Sequence, residues 1–345
     1  MPVFFCGKSI TLNPGFGNYI QVTRRGKAQP RKGRRTVAKQ RELREKPTWS
    51  RVKRNWGLYL LMLPAIIIFI CFTYLPMYGI VIAFKDFRPA QGILGSAWAG
   101  FKYFNRYFSS YMFSNTIKNT LFISVYTIIV TFPLPIVIAL MCNQMTAKRF
   151  KKFYQVSTYL PHFISTVVMC GMIIMFLSPS SGVLPKLLAL VGINIGDLMG
   201  SADAFSSVYV WTEAWQHVGW DSIMYIAALS AVDPQLYEAA TVDGASKLQR
   251  TLYIDIPLLM TTAVTLFILR AGSVMSVGFE KVYLLQNDLN IAKSEIISTY
   301  LYKMGLQSNQ YSYSAAIGLF NNVVNFILLL TVNYIASKMG DTSLF

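Results

Sequence analysis

Six long apolar stretches constrain the fold of this sequence more than any other feature. A helix needs about 20 apolar residues to cross the hydrocarbon core of a bilayer, because each residue advances the helix by about 1.5 Å. The stretches cover approximately residues 57–84, 117–142, 159–177, 205–232, 257–280 and 311–337. The sequence therefore predicts an all-α integral membrane protein with six transmembrane helices.

The composition agrees with a membrane protein and excludes most soluble classes. Only 14% of the 345 residues are charged, while 54% are hydrophobic and the mean hydropathy is +0.42. An ordinary soluble domain carries about 25% charged residues. The four cysteines have no close spacing, and the chain has only two histidines, so we expect neither a disulfide framework nor a histidine-based metal or catalytic site.

The net charge of +17 is concentrated at one end of the chain. Fifteen basic residues lie between Lys8 and Arg54, ahead of the first apolar stretch. We interpret residues 1–56 as a basic, largely disordered arm that sets topology and contacts lipid headgroups, and we expect no nucleic-acid partner. Residues 57–345 form the predicted membrane domain, with its core at about 115–337.

The distribution of Lys and Arg predicts the orientation. An even number of spans places both termini on the same side of the membrane. With the N-terminus inside, 22 basic residues fall in inside segments and nine in outside segments. By the positive-inside rule, both termini are expected in the cytoplasm, in a multi-pass protein of the cell (inner or cytoplasmic) membrane.

The predicted cytoplasmic loop 233–256 differs from the other connections because it contains two short helical patterns. Asp233 is a good N-cap and Pro234 suits a first helical turn. Gly244 permits the backbone conformation that is needed where a helix ends. A second helix is expected from Lys247 to Ile254, with Pro257 separating it from the next span.

The same loop carries a recognisable motif. Glu238-Ala239-Ala240 is followed after three residues by Gly244, and after nine more by Ile254 and Pro257. This pattern resembles the cytoplasmic signature of the permease subunits of binding-protein-dependent ABC importers, with Ile256 where Leu is usual. Further residues resemble the carbohydrate-uptake branch, especially its complex-oligosaccharide permeases, over approximately 58–345. These are Asn119-Thr120-Leu121, Pro161, Gly219-Trp220, Ser222 and Tyr311-Ser312-Tyr313-Ser314-Ala315-Ala316.

The resemblance implies a type I ABC importer permease that moves a carbohydrate, in particular an oligosaccharide, by alternating access. It implies a second permease subunit, two ATPase subunits that bind ATP and Mg, and an extracellular solute-binding protein. This chain would hold no cofactor, metal or catalytic residue. Among its implied ATPase coupling residues, Glu238 would pair with an ATPase arginine, and Ala239 and Ala240 would provide packing contacts. Gly244 would form the turn, and Asp243 would either cap or pair locally. Pro257 completes the implied set.

Ionisable residues also occur inside the predicted spans. Glu213, His217 and Asp221 recur every four residues and form one stripe on the fourth span. Arg270, near the middle of the fifth predicted span, falls at a depth between Glu213 and Asp221. The stripe is either a structural ion-pair system or the wall of a sugar path. Candidate path residues beside it are Trp211, Trp215 and Trp220, which can stack on sugar rings, and Asn321, Asn322 and Asn325, which can bind hydroxyls or join helices.

Two other functions remain open from the residues alone. An ion-coupled secondary sugar transporter would use Glu213, Asp221 and Arg270 as its coupling site. A polytopic membrane enzyme acting on lipid-linked sugars would use Glu213 or Asp221 as a base. Gly7-Lys8-Ser9 lacks the earlier glycine of a phosphate-binding loop, so ATP is expected on another chain.

Overall fold

The structure is a computed structural model that describes residues 55–193 and 195–339. The predicted basic arm 1–56 lies outside the described residues, apart from its last two positions. Contacts divide the chain into two compact parts, one up to Phe69 and one from Ile70 onward. The described residues of the first part form helix α1 (Trp56–Phe69), which carries no charge and is apolar on every side, as is typical of a helix in lipid.

The second part is almost entirely helical. Its helices are α2 (Leu75–Met77), α3 (Gly92–Gly95), α4 (Lys102–Phe108), α5 (Tyr111–Thr131), α6 (Pro133–Gln144), α7 (Lys148–Tyr159), α8 (Thr166–Leu177), α9 (Val183–Leu190), α10 (Ala202–Ser230), α11 (Pro234–Val242), α12 (Lys247–Arg250), α13 (Ile256–Ala271), α14 (Phe279–Leu285), α15 (Ile291–Ser294), α16 (Ile297–Tyr302) and α17 (Tyr311–Met339). Shorter 3-10 turns cover Tyr78–Phe84, Pro89–Gln91 and Leu160–Phe163, and π-helical turns cover Ile70–Tyr74, Thr251–Asp255 and Lys303–Gln307. Strands β1 (Lys85–Asp86) and β2 (Ala97–Trp98) pair antiparallel.

Four helical segments in the described residues are long and apolar enough to cross a membrane. They are Trp56–Phe84, Tyr111–Gln144, Lys247–Ala271 and Tyr311–Lys338. A fifth span results if the bent pair Lys148–Phe163 and Thr166–Leu177 counts as one. The first, second and sixth apolar stretches of the sequence agree with these segments, while the fifth overlaps Lys247–Ala271 only in part.

The third predicted span is not a single straight helix. Its two halves meet at an angle of 96°. Pro161 lies in the turn between them, where it cannot donate the hydrogen bond that would continue the helix. Ser165 then caps α8 by accepting a hydrogen bond from the backbone N–H of Val168. The apolar stretch is therefore real, but a proline and an N-cap break it near its start.

The fourth predicted span corresponds to α10, a helix of 29 residues. This helix, which contains Glu213, His217 and Asp221, is not among the segments that are apolar enough to count as membrane spans by composition alone. It nevertheless occupies the centre of the second part, where it packs against α5, α6 and α13. Tyr209 and Val210 of α10 are buried in one apolar cluster with Ile123 of α5 and Met169 of α8. This central position explains how the helix can carry polar groups that face other helices.

The fifth predicted span was placed too far along the chain. Its helix ends at Ala271, not at residue 280, and Arg270 lies in its last turn, not near its middle. At this end, the backbone N–H groups of Ser273 and Val274 donate to the carbonyls of Arg270 and Ala271, in the tight pattern that satisfies carbonyls where a helix ends. Beyond it, the side-chain oxygen of Asn325 on α17 accepts from the backbone N–H of Met275 at 3.0 Å.

Candidate functional site

The loop 233–256 folds as two helices around a glycine, as its sequence predicts. Asp233 caps α11 by accepting from the backbone N–H of Gln235 at 2.9 Å. Gly244 follows α11 with φ +75°, a conformation that favours glycine. Ser246 and Gln249 then form a reciprocal capping box at the start of α12.

The expectation that Pro257 separates the second helix from the span is wrong. Helical structure runs without a break from Lys247 to Ala271. The π-helical turn Thr251–Asp255 directly precedes Pro257, which lies in the first turn of α13. A proline ring clashes with a carbonyl one turn earlier in an ideal α-helix, and the wider π-helical turn removes that clash. The loop is therefore joined rigidly to α13.

The motif residues lie on the outer surface of this loop. Glu238, Ala239, Asp243 and Gly244 are exposed, and Ala240 is half-buried. The Glu238 carboxylate forms no hydrogen bond or ion pair with any other residue in the described ranges. The surface is completed by large exposed apolar side chains, which are Leu236, Val242, Leu248, Leu252 and Tyr253. Val242 is 88% exposed. An apolar surface of this kind with an unpaired carboxylate is typical of a protein-binding face.

The inner surface of the loop contains a polar cluster that the sequence analysis missed. Asp255 is completely buried and accepts hydrogen bonds from Tyr237, Asn143 and Gln144. The sequence signal for this cluster was an acidic residue between Ile254 and Ile256, two positions before Pro257 and far from any predicted span centre. Burial raises the pKa of the Tyr237 hydroxyl, and its hydrogen bond to the carboxylate adds to the effect.

The ionisable stripe on α10 forms two separate ion pairs. Glu213 accepts a hydrogen bond from Lys281 at 2.9 Å and lies 3.6 Å from His217. Asp221 pairs with Arg270, as the predicted depth of Arg270 between Glu213 and Asp221 allowed. Glu213 does not pair with Arg270, because its cation is Lys281. Lys281 was expected in a connecting segment between spans, yet only 4% of its side chain is exposed because it is buried against α10.

The two histidines meet at the break in the third predicted span. His162 Nδ1 lies 3.0 Å from His217 Nδ1, and its ring stacks on Trp220 with ring centroids 4.4 Å apart. The sequence pattern identified His217 as a candidate residue but gave no indication that His162 is its partner. Because 55 positions separate the two residues, no local pattern links them. In the described residues, no group of three metal-binding side chains could hold a metal ion.

The other candidate path residues divide into bonded and exposed groups. Trp211 donates its indole N–H to the Tyr126 hydroxyl at 3.1 Å, while Trp215 is exposed. Asn325 is engaged with Ser276 and the backbone beyond α13, which makes it a joint between helices. Asn322 is exposed.

A cavity of about 610 Å³ lies between α5, α6, α10 and α13. Its wall includes the Asp221 and Arg270 pair, the indole of Trp220 and the hydroxyls of Thr131 and Ser273. A volume of this size fits a small ligand, because ligand sites typically occupy about 300–1,000 Å³. Charged groups, hydroxyls and an aromatic face together can bind polar, ring-shaped molecules.

Comparisons with known proteins support a common ancestry over most of the chain. No family model matches. The polygalacturonan/rhamnogalacturonan transport system permease protein YteP of Bacillus subtilis (strain 168) is 41% identical over 288 residues, which cover 84% of this chain and 90% of YteP.

Two solved structures are also similar. One is a bacterial ABC transporter involved in the import of the acidic polysaccharide alginate, with 38% identity and a TM-score of 0.78 over 84% of this chain and 98% of that chain. The other is a bacterial alginate ABC transporter in complex with an alginate pentasaccharide-bound periplasmic protein. It shows 37% identity and a TM-score of 0.79 over 87% and 100% of the two chains.

Proposed function

Because the chain belongs to the permease subunits of carbohydrate ABC importers, we propose that it carries an oligosaccharide across the cell membrane by ATP-driven alternating access. The observation that carries this proposal is the exposed loop around Glu238. Its unpaired carboxylate, small alanines and large apolar side chains form a surface on the loop that connects α10 to α13. The alternatives, an ion-coupled carrier or a membrane enzyme, leave this surface without a role.

The partner on that surface is an ATPase subunit. Glu238 pairs with an ATPase arginine, and Ala239 and Ala240 allow the partner backbone to approach closely. Two ATPases hold ATP and Mg, so this chain contributes no nucleotide site. Closure of the ATPases shifts the inward-open and outward-open populations only as far as their contacts with the loop differ between the two states.

The topology that accompanies this function has six spans with both termini in the cytoplasm. The four apolar helical segments, the bent pair and the central helix α10 together supply six crossings. An even number of crossings agrees with the basic residues at the N-terminal side of the chain. The loop 233–256 then faces the ATPases.

Two further partners complete the importer. A second permease subunit pairs with this chain around the sugar path, and an extracellular solute-binding protein delivers the sugar. The similar alginate transporter was solved with such a periplasmic protein, which supports this part of the proposal.

The sugar path is formed by the polar face of α10 and the cavity beside it. Arg270 and Asp221 present charge to the cavity, and Trp220 presents an aromatic face on which a sugar ring can stack. The remaining path residues are Trp211, Glu213, Trp215, His217, Asn322 and Asn325. Since the similar structures import an acidic polysaccharide, acidic oligosaccharides are the first substrates to test.

Affinity purification tests this assembly. The tagged chain is extracted from its native membrane in mild detergent, and the bound proteins are identified by mass spectrometry. We expect a second permease and an ATPase to be recovered. A chain that purifies alone, with an unchanged result for Glu238→Arg, would contradict the proposal and favour an ion-coupled carrier or a membrane enzyme.

A further inference from the structure

Asp255 is the most completely buried acidic side chain at the loop, and the function proposed above does not use it. It lies at the junction of the π-helical turn and α13, with 0% of its surface exposed. No Lys, Arg or His of the described residues forms an ion pair with it. A buried carboxylate is costly unless hydrogen bonds satisfy its oxygens, so its partners must be well placed.

Those partners come from two other helices. The Tyr237 hydroxyl of α11 donates to Oδ1 at 2.6 Å, and the Asn143 amide of α6 donates to the same oxygen at 3.3 Å. The Gln144 amide donates to Oδ2 at 3.1 Å and to the Thr251 hydroxyl at 3.0 Å. A carboxylate only accepts, so it can gather several donors at one point. Asp255 thereby joins α11 to the end of α6 and the beginning of α13.

This junction also fixes which way Glu238 faces. Adjacent residues on an α-helix point about 100° apart, so holding Tyr237 inward turns Glu238 outward. One turn further along α11, the Thr241 hydroxyl accepts from the Arg250 guanidinium at 3.1 Å. Two braces on one face of α11 therefore hold the helix against rotation and against sliding.

We propose that Asp255 is a positioning residue for energy coupling, which locks α11 to α6 and α13 so that a push on Glu238 moves both helices. Without the lock, rotation of α11 about the turn at Gly244 would absorb the movement. This inference rests on the proposed function, because it assigns a mechanical role to the surface that receives the ATPase. It adds a residue that touches neither ATPase nor sugar.

The variant Asp255→Asn tests the lock with little change of shape. The new amide replaces one accepting oxygen by a donor. This donor faces either the amide donor of Gln144, or the amide of Asn143 together with the hydroxyl of Tyr237. In the reconstituted importer we expect about fivefold more ATP hydrolysed per sugar transported, since one hydrogen bond is lost and one donor remains unpaired. Asp288→Asn, a change at an exposed carboxylate, is the matched control and should leave this ratio unchanged.

A second substitution separates positioning from simple destabilisation. Adding Gln144→Glu to Asp255→Asn exchanges donor and acceptor, and the Thr251 hydroxyl can turn to donate to the new carboxylate. We expect the double variant to regain most of the normal ratio. Tyr237→Phe, which removes the 2.6 Å donor but keeps the ring, should show a smaller loss in the same direction.

Hydrogen exchange of the α11 amides gives a readout that is independent of transport. We expect faster exchange in Asp255→Asn and recovery in the double variant. If the wild-type importer couples ATP to sugar uptake but Asp255→Asn keeps the normal ratio and slow exchange, the lock is wrong. If exchange changes as expected but the wild-type chain transports sugar without an ATPase, Asp255 still holds α11 in place. The proposed function is then wrong, and so is the role of Asp255 in energy coupling.

Discussion

The guanidinium of Arg270, in the last turn of α13, donates a hydrogen bond to the carboxylate of Asp221 on α10. The same guanidinium donates to the Thr131 hydroxyl of α5 at 3.1 Å. Three helices therefore meet at one cation, and the pair forms part of the cavity wall. A partly exposed ion pair in this position can join helices and still contact a polar ligand.

The pair allows structural and transport roles to be separated. Asp221→Asn leaves the Arg270 cation without its carboxylate, and the cost of an unpaired Arg in a membrane helix rises to about 2.5–3.5 kcal/mol at the helix centre and is smaller near a helix end. We expect a lower thermal midpoint in detergent and reduced uptake. Replacing both residues, Asp221→Asn with Arg270→Gln, removes both charges and should restore the midpoint. Uptake should stay low if the pair contacts the sugar, and normal uptake in the double variant would contradict that contact.

Breaking the ion pair between Glu213 and Lys281 should affect folding more than breaking the pair between Asp221 and Arg270. Lys281→Met removes the only Lys or Arg partner of Glu213 in the described residues and leaves a carboxylate beside His217. We expect a marked fall in the yield of folded protein, because breaking a buried pair costs about 3–5 kcal/mol. Lys186→Met, at an exposed lysine without an ion pair in the described chain, is the control. Equal yields of the two variants in size-exclusion chromatography would show that the pair is unimportant.

Close packing at Gly219 predicts that even an alanine side chain cannot be accommodated at this position. A Cβ atom at this position would lie 1.9 Å from the backbone oxygen of Thr158 on α7. Gly219→Ala should therefore push α7 from α10 and lower both thermal stability and transport. Gly171→Ala on α8 meets nothing within 4 Å and should be close to neutral. A Gly219→Ala protein with the thermal midpoint of Gly171→Ala would contradict the close contact.

The turn at Gly244 predicts a defect in coupling without a defect in folding. Its φ of +75° suits glycine, and a left-handed conformation costs other residues about 1–2 kcal/mol. Gly244→Val should raise ATP hydrolysis per sugar transported while the thermal midpoint of the membrane domain stays nearly constant. Gly244→Asn should be milder, since asparagine tolerates this conformation. Normal transport by Gly244→Val would show that the loop does not act as a rigid lever.

The sequence predicted most of the helices, but it predicted few of the contacts between side chains of different helices. Apolar length predicted the spans at 57–84, 117–142 and 311–337 well, because each is a continuous helical stretch in the structure. Local signals also predicted the cap at Asp233 and the turn at Gly244. Periodicity placed Glu213, His217 and Asp221 on one face of α10.

What the sequence could not predict depends on contacts between distant residues. Lys281 reaches Glu213 across 68 positions, and Asn143 reaches Asp255 across 112. Periodicity identifies the face of a helix but not the residue opposite to it. The end of α13 was also missed, because apolar residues continue after Ala271 although the backbone there changes to tight turns.

The most direct test of the account compares wild type with Glu238→Arg in an importer reconstituted with the proposed second permease, ATPases and binding protein. Sugar accumulation and ATP hydrolysis are measured in the same vesicles, with Asp288→Arg as a charge-matched control. The account predicts that Glu238→Arg abolishes ATP-driven accumulation and loosens ATPase binding, while the control transports normally. Unchanged accumulation with Glu238→Arg would contradict the claim that this exposed carboxylate receives the ATPase.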